Sequence, residues 1–242
     1  MYDLNPAAQA LRAADAVLIG ASNGLSITEG LHLFADNAAF AGLFGDFKEK
    51  YGLICLLQGM AGHWPSEEER WAFWGRLLHH PVMQNLKALA GDRDCFVLTS
   101  NGEGHFVPSG FAPERIWELE GSWLVMQCAC RCHQTLYPTL ELADKLAAAE
   151  QNGRVPSALV PRCPQCGGPM AVQIAAGAAR IPDQAAEHRY HAFLQRNQGK
   201  KLAILELGVG WRNQLIKAPL MKLTTREPNA TYITVNLGEL YI

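Results

Sequence analysis

The stretch that decides the fold is Val97–Ser122, VLTSNGEGHFVPSGFAPERIWELEGS, in which a short apolar segment runs directly into turn residues and acids. The apolar run Cys95–Leu98 is too short for an independent helix and is typical of a strand buried in a parallel sheet. Ligands of open α/β sheets bind outside the carboxyl ends of the strands. We therefore expect Asn101 and Glu103, in the loop after this strand, to face a ligand.

A second short strand, Ile116–Leu119, is predicted to deliver Glu120 before Gly121 ends it. Side chains alternate along a strand, so Glu118 and Glu120 are expected on the same face. Burying two acids on one strand is costly and calls for a functional reason, whereas a solvated sheet edge accepts them without any function. The spacing alone leaves both interpretations open.

Length and composition describe a globular chain. Its 242 residues, 49% of them hydrophobic, suffice for one large domain or for a large and a small one. The formal net charge of −2, without a long basic run, argues against a nucleic-acid partner. No apolar stretch reaches the length of a membrane span, and the N-terminus lacks the pattern of a signal peptide. A cytoplasmic protein without a membrane partner is expected, and the composition selects no oligomeric state.

A glycine-containing loop follows the first predicted strand. The helix candidate Pro6–Asp15 leads into the strand Ala16–Ile19, after which Gly20-Ala-Ser-Asn-Gly-Leu-Ser26 precedes Ile27-Thr-Glu-Gly30. Glycines in this place let the backbone approach a ligand closely, and free amides at the start of a helix bind phosphate. The spacing differs from G-x-G-x-x-G, so a purely structural turn is the alternative.

The region Leu31–Leu89 is mostly helical by pattern. Its aromatic residues recur at helical spacing, which is far more typical of a hydrophobic core than of a cofactor site. Ser66-Glu-Glu-Glu69 is predicted to be a capping box that begins one of these helices. Three histidines of this region, His63, His79 and His80, are expected to be solvated or locally hydrogen-bonded, without a chemical role.

Five of the seven cysteines fall in two knuckles with the spacing of a metal site. Cys128-Ala-Cys130-Arg-Cys132 is followed about thirty residues later by Cys163-Pro-Gln-Cys166-Gly-Gly, whose tight turn lets two thiolates meet one tetrahedral zinc. The predicted ligands are Cys128, Cys132, Cys163 and Cys166, while Cys130 is either a spare thiol or replaces one of the first pair. Such a closed site is structural, not catalytic. Unmetallated cysteines in a hairpin are the alternative.

The last third restores the alternation of strands, helices and glycine loops. Lys201–Leu205 is a predicted strand ending in the loop Glu206–Gly210, and Thr231–Val235 is another strand that ends at Asn236. This alternation predicts an α/β fold, a Rossmann-type doubly wound parallel sheet with a smaller helical plus zinc-ribbon module. The predicted large domain comprises residues 1–30, 85–124 and 180–242, and the small domain comprises 31–84 and 125–179.

Together these motifs resemble the sirtuin family over nearly the whole chain, and the divergent class M branch of microbial sirtuins in particular. In chain order they are the loop Gly20–Ser26, Thr99–Glu103 for the family's Asn-x-Asp motif, Leu119–Ser122 where the family has Leu-His-Gly-Ser, the two cysteine knuckles, the loop Gly208–Gly210, and Val235-Asn236. The resemblance implies a Rossmann-type large domain, a zinc-ribbon small domain and NAD bound between them. The residues that it implies for NAD binding are Gly20, Ala21, Ser22, Gly24, Ser26, Glu29, Asn101, Gly208, Val209, Gly210 and Asn236.

Two departures from the family pattern bear on the chemistry. The position of the family's histidine base holds Glu120; class M relatives, with a glutamine there, are associated with ADP-ribosyl transfer to proteins, including lipoyl-carrier proteins. Glu103 replaces the family's Asp and is one methylene longer, which displaces its contact with the carboxamide of nicotinamide. The resemblance implies that Asn101 positions the ribose and a water, that Glu120 acts as base or electrostatic stabiliser, and that Glu103 meets nicotinamide.

The sequence therefore predicts a sirtuin-like enzyme that uses NAD and Zn²⁺ and cleaves the bond between nicotinamide and ribose. A carboxylate near the ribose stabilises the positive charge that develops as nicotinamide leaves. Mono-ADP-ribosylation of a protein substrate, such as a lipoyl-carrier protein, is the first expectation. NAD-dependent protein deacylation, NAD hydrolysis and non-catalytic sensing of NAD or ADP-ribose are the alternatives, because the acceptor is not written in the sequence.

Overall fold

The computed structural model describes residues 4–28, 30–79, 86–175 and 180–237. Its α-helices are α1 (Asn5–Ala13), α2 (Asn23–Ile27), α3 (Ala38–Tyr51), α4 (Leu56–Ala61), α5 (Glu67–Leu78), α6 (Leu140–Ala149), α7 (Gln184–Arg196) and α8 (Gln214–Arg226). Its strands are β1 (Ala16–Ala21), β2 (Asp94–Thr99), β3 (Ile116–Glu118), β4 (Val125–Cys128), β5 (Tyr137–Pro138), β6 (Met170–Val172), β7 (Leu202–Leu207) and β8 (Thr231–Val235). Short 3₁₀ helices span Leu86–Leu89, Pro113–Arg115 and Ser157–Leu159.

The chain divides into two compact units, each assembled from separated stretches of sequence. The first unit comprises Met1–Glu29, Val82–Glu120 and Pro182–Ile242, and the second comprises Gly30–Pro81 and Gly121–Ile181. The domain boundaries set from the sequence motifs stay a prediction. No helix among the described residues is long and apolar enough to cross a membrane.

A five-stranded parallel sheet forms the first unit, in the order β3-β2-β1-β7-β8. Strand β1 lies at its centre and pairs in parallel with both β2 and β7. From β1 the chain winds outward to β2 and β3 on one side, and it later fills the other side with β7 and β8. This order is that of a Rossmann fold, with the topological switch point between β1 and β7. The predicted Rossmann-type parallel sheet is confirmed.

Alternate side chains of the strands enter two hydrophobic cores, one on each face of the sheet. In β1, Val17 and Ile19 belong to the core that packs against α1, whereas Ala16 and Leu18 belong to the core formed with α7 and α8. Helices therefore cover both faces, which is the doubly wound arrangement. Because neither face meets water, the strands are continuous apolar runs and not alternating ones.

Several strand ends differ from those predicted. Strand β1 continues through Ala21 and β7 continues through Leu207, so Gly20 and Glu206 lie in strands and not in loops. Strand β3 ends at Glu118, and Glu120 lies in the turn that follows. The prediction that Glu120 belongs to the strand and shares a strand face with Glu118 is therefore wrong, and both residues are half-buried.

The second unit combines helices α3 to α6 with a small antiparallel sheet in the order β5-β4-β6. Its core is aromatic, as predicted: the rings of Phe44 and Phe73 lie 4.8 Å apart, and Phe47 packs against both. Helix α5 begins with the predicted capping interaction, in which the N–H of Glu69 donates to Oγ of Ser66 at 3.3 Å.

The histidines of the helical region behave as expected within the described residues. His63 is exposed, and Nδ1 of the exposed His79 lies 3.0 Å from Oδ1 of Asp144. His80 lies outside the described residues. These contacts give no reason to assign chemistry to this region.

Candidate active site

The carboxyl ends of all five strands of the parallel sheet lie in one row. The register places Glu118 beside Thr99, Thr99 beside Ala21, Ala21 beside Leu207, and Leu207 beside Val235. Each of these residues is the last of its strand. The next residues along the chain therefore reach the same sheet edge, where open α/β folds bind ligands. Among them are five of the predicted site residues: Ser22, Asn101, Glu120, Gly208 and Asn236.

The two glycine loops touch each other at the centre of this row. The N–H of Gly24 donates to the carbonyl of Gly208 at 3.0 Å, and a Cβ at Gly24 would lie 2.5 Å from the same oxygen. Gly208 has φ +59°, and a Cβ there would lie 2.2 Å from the backbone nitrogen of Leu25. Glycine is required at both positions because two backbones meet there. The sequence-based reason for Gly24, close approach of a ligand, stays a prediction beside this structural one.

The other predicted loop residues have varied surroundings. A Cβ at Gly20 would lie 2.2 Å from Cδ1 of Leu220, so this glycine lets α8 pack on the sheet. Val209 is buried in the core formed with α7 and α8, and Ala21 is buried in the opposite core. A Cβ at Gly210 would meet no atom within 4 Å, so that position opens to solvent. The predicted binding residue Glu29 lies outside the described residues.

Asn101 is buried and joins the end of β2 to the loop after β1. Its Nδ2 donates to the carbonyl of Ser22 at 3.1 Å and to Oγ of Ser26 at 2.9 Å. The hydroxyl of Ser26 donates in turn to Oε1 of Glu103. All three side chains of this chain of hydrogen bonds, Asn101, Ser26 and Glu103, are buried. Residues predicted from three different motif positions thus form one network.

Glu103 has a second partner, which the sequence reasoning missed. Nε2 of His105 lies 3.1 Å from Oε1 of Glu103, and the two side chains are 2% and 4% exposed. A buried carboxylate needs polar partners that replace water: the hydroxyl of Ser26 donates to Oε1, and Nε2 of His105 lies close to the same oxygen. No spacing rule pairs a loop histidine with an acid two residues before it, so this contact could not be predicted from the sequence.

A second polar group, also missed, surrounds the side chain of Ser22. Nδ2 of Asn213 donates to Oγ of Ser22 and to Oγ of Ser100, both at 2.8 Å, and the two hydroxyls lie 3.1 Å apart. These three side chains connect the ends of β1, β2 and β7. Asn213 occupies the N-cap position of α8 but makes no side-chain cap, and its Nδ2 bonds the two serines. An Asn before a helix predicts a cap, so its true partners were hidden.

Glu120 lies at the outer end of the row, beyond the edge strand β3. The N–H of Leu119 still donates to the carbonyl of Thr99 at 2.8 Å, so the chain follows the sheet until one residue before Glu120. Unlike Glu103, Glu120 is only half-buried. Glu120 is therefore a partly exposed acid at the sheet edge, in contrast to the buried Glu103.

The second unit gathers four cysteines into one cluster: Cys128, Cys132, Cys163 and Cys166, with all four sulfur atoms within 4.8 Å of one another. The Sγ atoms of Cys128 and Cys166 lie 3.6 Å apart, and those of Cys132 and Cys163 lie 3.5 Å apart. With a Zn–S length of about 2.3 Å, the sulfurs of a tetrahedral site lie about 3.8 Å apart. The cluster therefore fits Zn²⁺.

The electrostatics of the cluster also fit a divalent cation. The backbone N–H of Cys132 lowers the pKa of the Cys128 thiol to about 6, which favours the thiolate that a metal binds. Burial and the neighbouring thiol of Cys166 raise the pKa of Cys132, and a bound cation removes this conflict. Cys130 is exposed, and its sulfur would lie 2.8 Å from a Cβ at Gly168. Its thiol packs beside the turn of the second knuckle.

The parallel sheet and the polar side chains at its row of strand ends define the class of α/β nucleotide-binding proteins, here with a structural metal module. Known proteins narrow this class. A protein ADP-ribosyltransferase of Staphylococcus aureus is 31% identical over 240 residues, which cover 94% of this chain and 76% of that protein. A probable bifunctional ADP-ribose hydrolase/ADP-ribosyltransferase of Fusarium oxysporum f. sp. cubense is 34% identical over 231 residues, covering 86% of this chain and 37% of that longer protein.

The fold of this chain is also found among solved structures. The crystal structure of a Sir2 homologue in complex with NAD superposes with a TM-score of 0.65 at 14% identity, covering 99% of this chain and 84% of that chain. No family model matches the sequence. The chain belongs to the sirtuin family, in its divergent microbial branch.

Proposed function

We propose that this protein is an NAD-dependent protein mono-ADP-ribosyltransferase. The observation that carries the proposal is the row of strand ends, which brings Asn101 and Glu120 to one sheet edge, together with the buried chain of hydrogen bonds from Asn101 to Glu103. The names of both relatives include ADP-ribosyl transfer, which supports this class of reaction.

The residues present suit the binding of NAD at this edge. The hydroxyls of Ser22 and Ser100 and the amide of Asn213 gather at the switch point, where Rossmann proteins bind the pyrophosphate. We assign Asn101 to the ribose and Glu103 to the carboxamide of nicotinamide. We assign Asn236, which is half-buried after β8, to the adenosine part.

The reaction needs few groups from the protein. NAD supplies a ribose carbon whose bond to nicotinamide breaks, with the bonding electron pair leaving on nicotinamide. The carboxylate of Glu120 offsets positive charge on the ribose and accepts the proton of the attacking acceptor group. The new bond joins the acceptor to the same ribose carbon.

The acceptor is a protein in this proposal, and a lipoyl-carrier protein is the first candidate to test. The experiment incubates the purified protein with NAD and the lipoylated carrier and identifies the products by mass spectrometry. Nicotinamide together with an ADP-ribosylated carrier is the expected result, and the carrier without its lipoyl group is the matched control. Modification of other proteins but not of the carrier would remove this partner and keep the activity.

The same measurement separates the competing activities. O-acyl-ADP-ribose formed from an acylated peptide would identify a deacylase, and free ADP-ribose without modified protein would identify an NAD hydrolase. Binding of NAD without any release of nicotinamide would identify a sensor. Each of these three outcomes contradicts the proposed transferase.

A further inference from the structure

We infer that His105 is a positioning residue that fixes the carboxylate of Glu103, so that the pair does the work of the shorter aspartate found in ordinary sirtuins. The inference rests on the proposed function and adds to it a residue that no motif contains. The contact that carries it is the 3.1 Å approach of Nε2 of His105 to Oε1 of Glu103, at side chains that are almost fully buried.

The backbone around His105 is anchored, so its ring has a defined position. Both the N–H and the hydroxyl of Ser109 donate to the carbonyl of His105, at 3.2 and 2.6 Å. The N–H of Phe111 donates to the carbonyl of Phe106 at 3.0 Å, and the two phenyl rings pack edge to face in the core under the loop. A buried ring on an anchored backbone is a fixed neighbour of the carboxylate and not a mobile surface histidine.

The side chain of Glu103 is longer than that of aspartate and needs neighbours that restrict the position of its carboxylate. Glutamate has one more rotatable bond than aspartate, so its carboxylate samples more positions unless its partners restrict it. Ser26 and His105 both lie against the same oxygen, Oε1 of Glu103, although Ser26 and His105 are far from each other in the sequence. With Oε1 fixed by two partners, rotation of the carboxylate is restricted, and Oε2 is the oxygen assigned to the ligand amide.

A matched pair of variants separates positioning from packing. His105→Gln places an amide N–H near the position of Nε2, whereas His105→Leu keeps an apolar side chain of similar reach without a donor. We expect His105→Leu to lower kcat for nicotinamide release by about tenfold or more, with KM for NAD changed by less than about threefold. His105→Gln should stay within about threefold of the unchanged protein.

Coupling to Glu103 sharpens the test. In the background of Glu103→Asp the acid no longer reaches His105, so adding His105→Leu should lower kcat by less than about twofold further. Equal losses for His105→Leu and His105→Gln, or full additivity with Glu103→Asp, would show that His105 only fills the core and would overturn the inference.

A measurement without NAD keeps the inference independent of the proposed function. In protein labelled with ¹⁵N-histidine, the imidazole of His105 should carry its proton on Nε2, and Glu103→Gln should shift its ring resonances while His63 and His79 stay unchanged. Unchanged His105 resonances in Glu103→Gln would overturn the contact itself. If the unchanged protein releases no nicotinamide while these resonances shift, the proposed function fails and the Glu103–His105 contact stands.

Discussion

Two glutamates are buried at the carboxyl edge of the same sheet, and the structure holds them in opposite ways. Glu206, in β7, has partners on both oxygens: Nζ of Lys217 lies 2.8 Å from Oε1 and 3.0 Å from Oε2, Thr234 donates to Oε1, and Tyr232 donates to Oε2. Glu103, after β2, is met by Ser26 and by His105, and both contacts fall on Oε1.

The difference shows how burial alone misleads. A carboxylate with a buried cation and hydroxyl donors on both oxygens is neutralised within the protein, so it stabilises the sheet and has little capacity for a ligand. A carboxylate held through one oxygen is positioned and keeps capacity on the other. We therefore assign Glu206 to structure and Glu103 to the ligand, although both are buried acids beside glycine loops.

The largest expected effect comes from breaking the structural pair. Glu206→Leu leaves the ammonium of Lys217 buried without its carboxylate, and removing one partner of a buried ion pair typically costs about 3–5 kcal/mol in the free energy of unfolding. Urea denaturation measures this loss. Adding Lys217→Met should recover part of the stability, and no recovery in the double variant would contradict the assignment of the ion pair.

The half-buried Glu120 provides the next test, because an acid open to a ligand should act on chemistry and not on folding. Glu120→Gln should lower the rate of nicotinamide release by about a hundredfold while NAD affinity changes little, as loss of a general base does. Single-turnover kinetics and calorimetry measure the two quantities. Full activity of Glu120→Gln would show that the reaction does not need a carboxylate at this position and would overturn the role of Glu120 as a base.

Glu103→Gln sharpens the comparison with Glu206 directly. We expect turnover to fall by about tenfold or more, since the carboxylate that we assign to the nicotinamide amide loses its charge. The free energy of unfolding should change by no more than about 1–2 kcal/mol, because no buried cation is left unpaired. A stability loss as large as that of Glu206→Leu would place Glu103 in the structural class.

The smallest effect concerns the pH dependence of stability. Burial and the hydrogen bond to Glu206 raise the pKa of Tyr232, so the folded protein keeps a proton that the unfolded chain releases above pH of about 10. The contribution of this group to stability is complete below that pH and is lost as the pH rises. Tyr232→Phe should flatten this part of the curve of unfolding free energy against pH. Urea denaturation at pH values from about 8 to about 11 measures the effect.

The sequence predicted those parts of the site that depend on local spacing or on sheet topology. Cys163 and Cys166 lie in one tight turn, in which the N–H of Gly167 donates to the carbonyl of Cys163 at 2.8 Å, so their spacing indicated a zinc site. The position of Asn101 at the carboxyl edge of the sheet could be predicted because it comes directly after an apolar strand, and parallel strands present their carboxyl ends at one edge.

The remaining features depend on contacts between loops that are distant in sequence. Nothing before residue 208 signals that Gly24 must be glycine to admit a second backbone. Asn213 reads as a helix cap until its two serine partners are known. The early end of β3 follows from the turn at Gly121, whose φ of +96° takes the chain out of the extended conformation.

The central position of β1 has a consequence for biosynthesis. Its loop residue Ser22 bonds to Asn213, 191 residues further along the chain. A ribosome adding about 5–20 residues per second needs roughly ten to forty seconds to cover that separation. Until then the edge of the apolar strand β1 that pairs with β7 has no neighbour and can pair wrongly. The nascent chain is therefore a candidate client for chaperones. Release of the last third of the chain from the ribosome should therefore be the event that creates the ligand site.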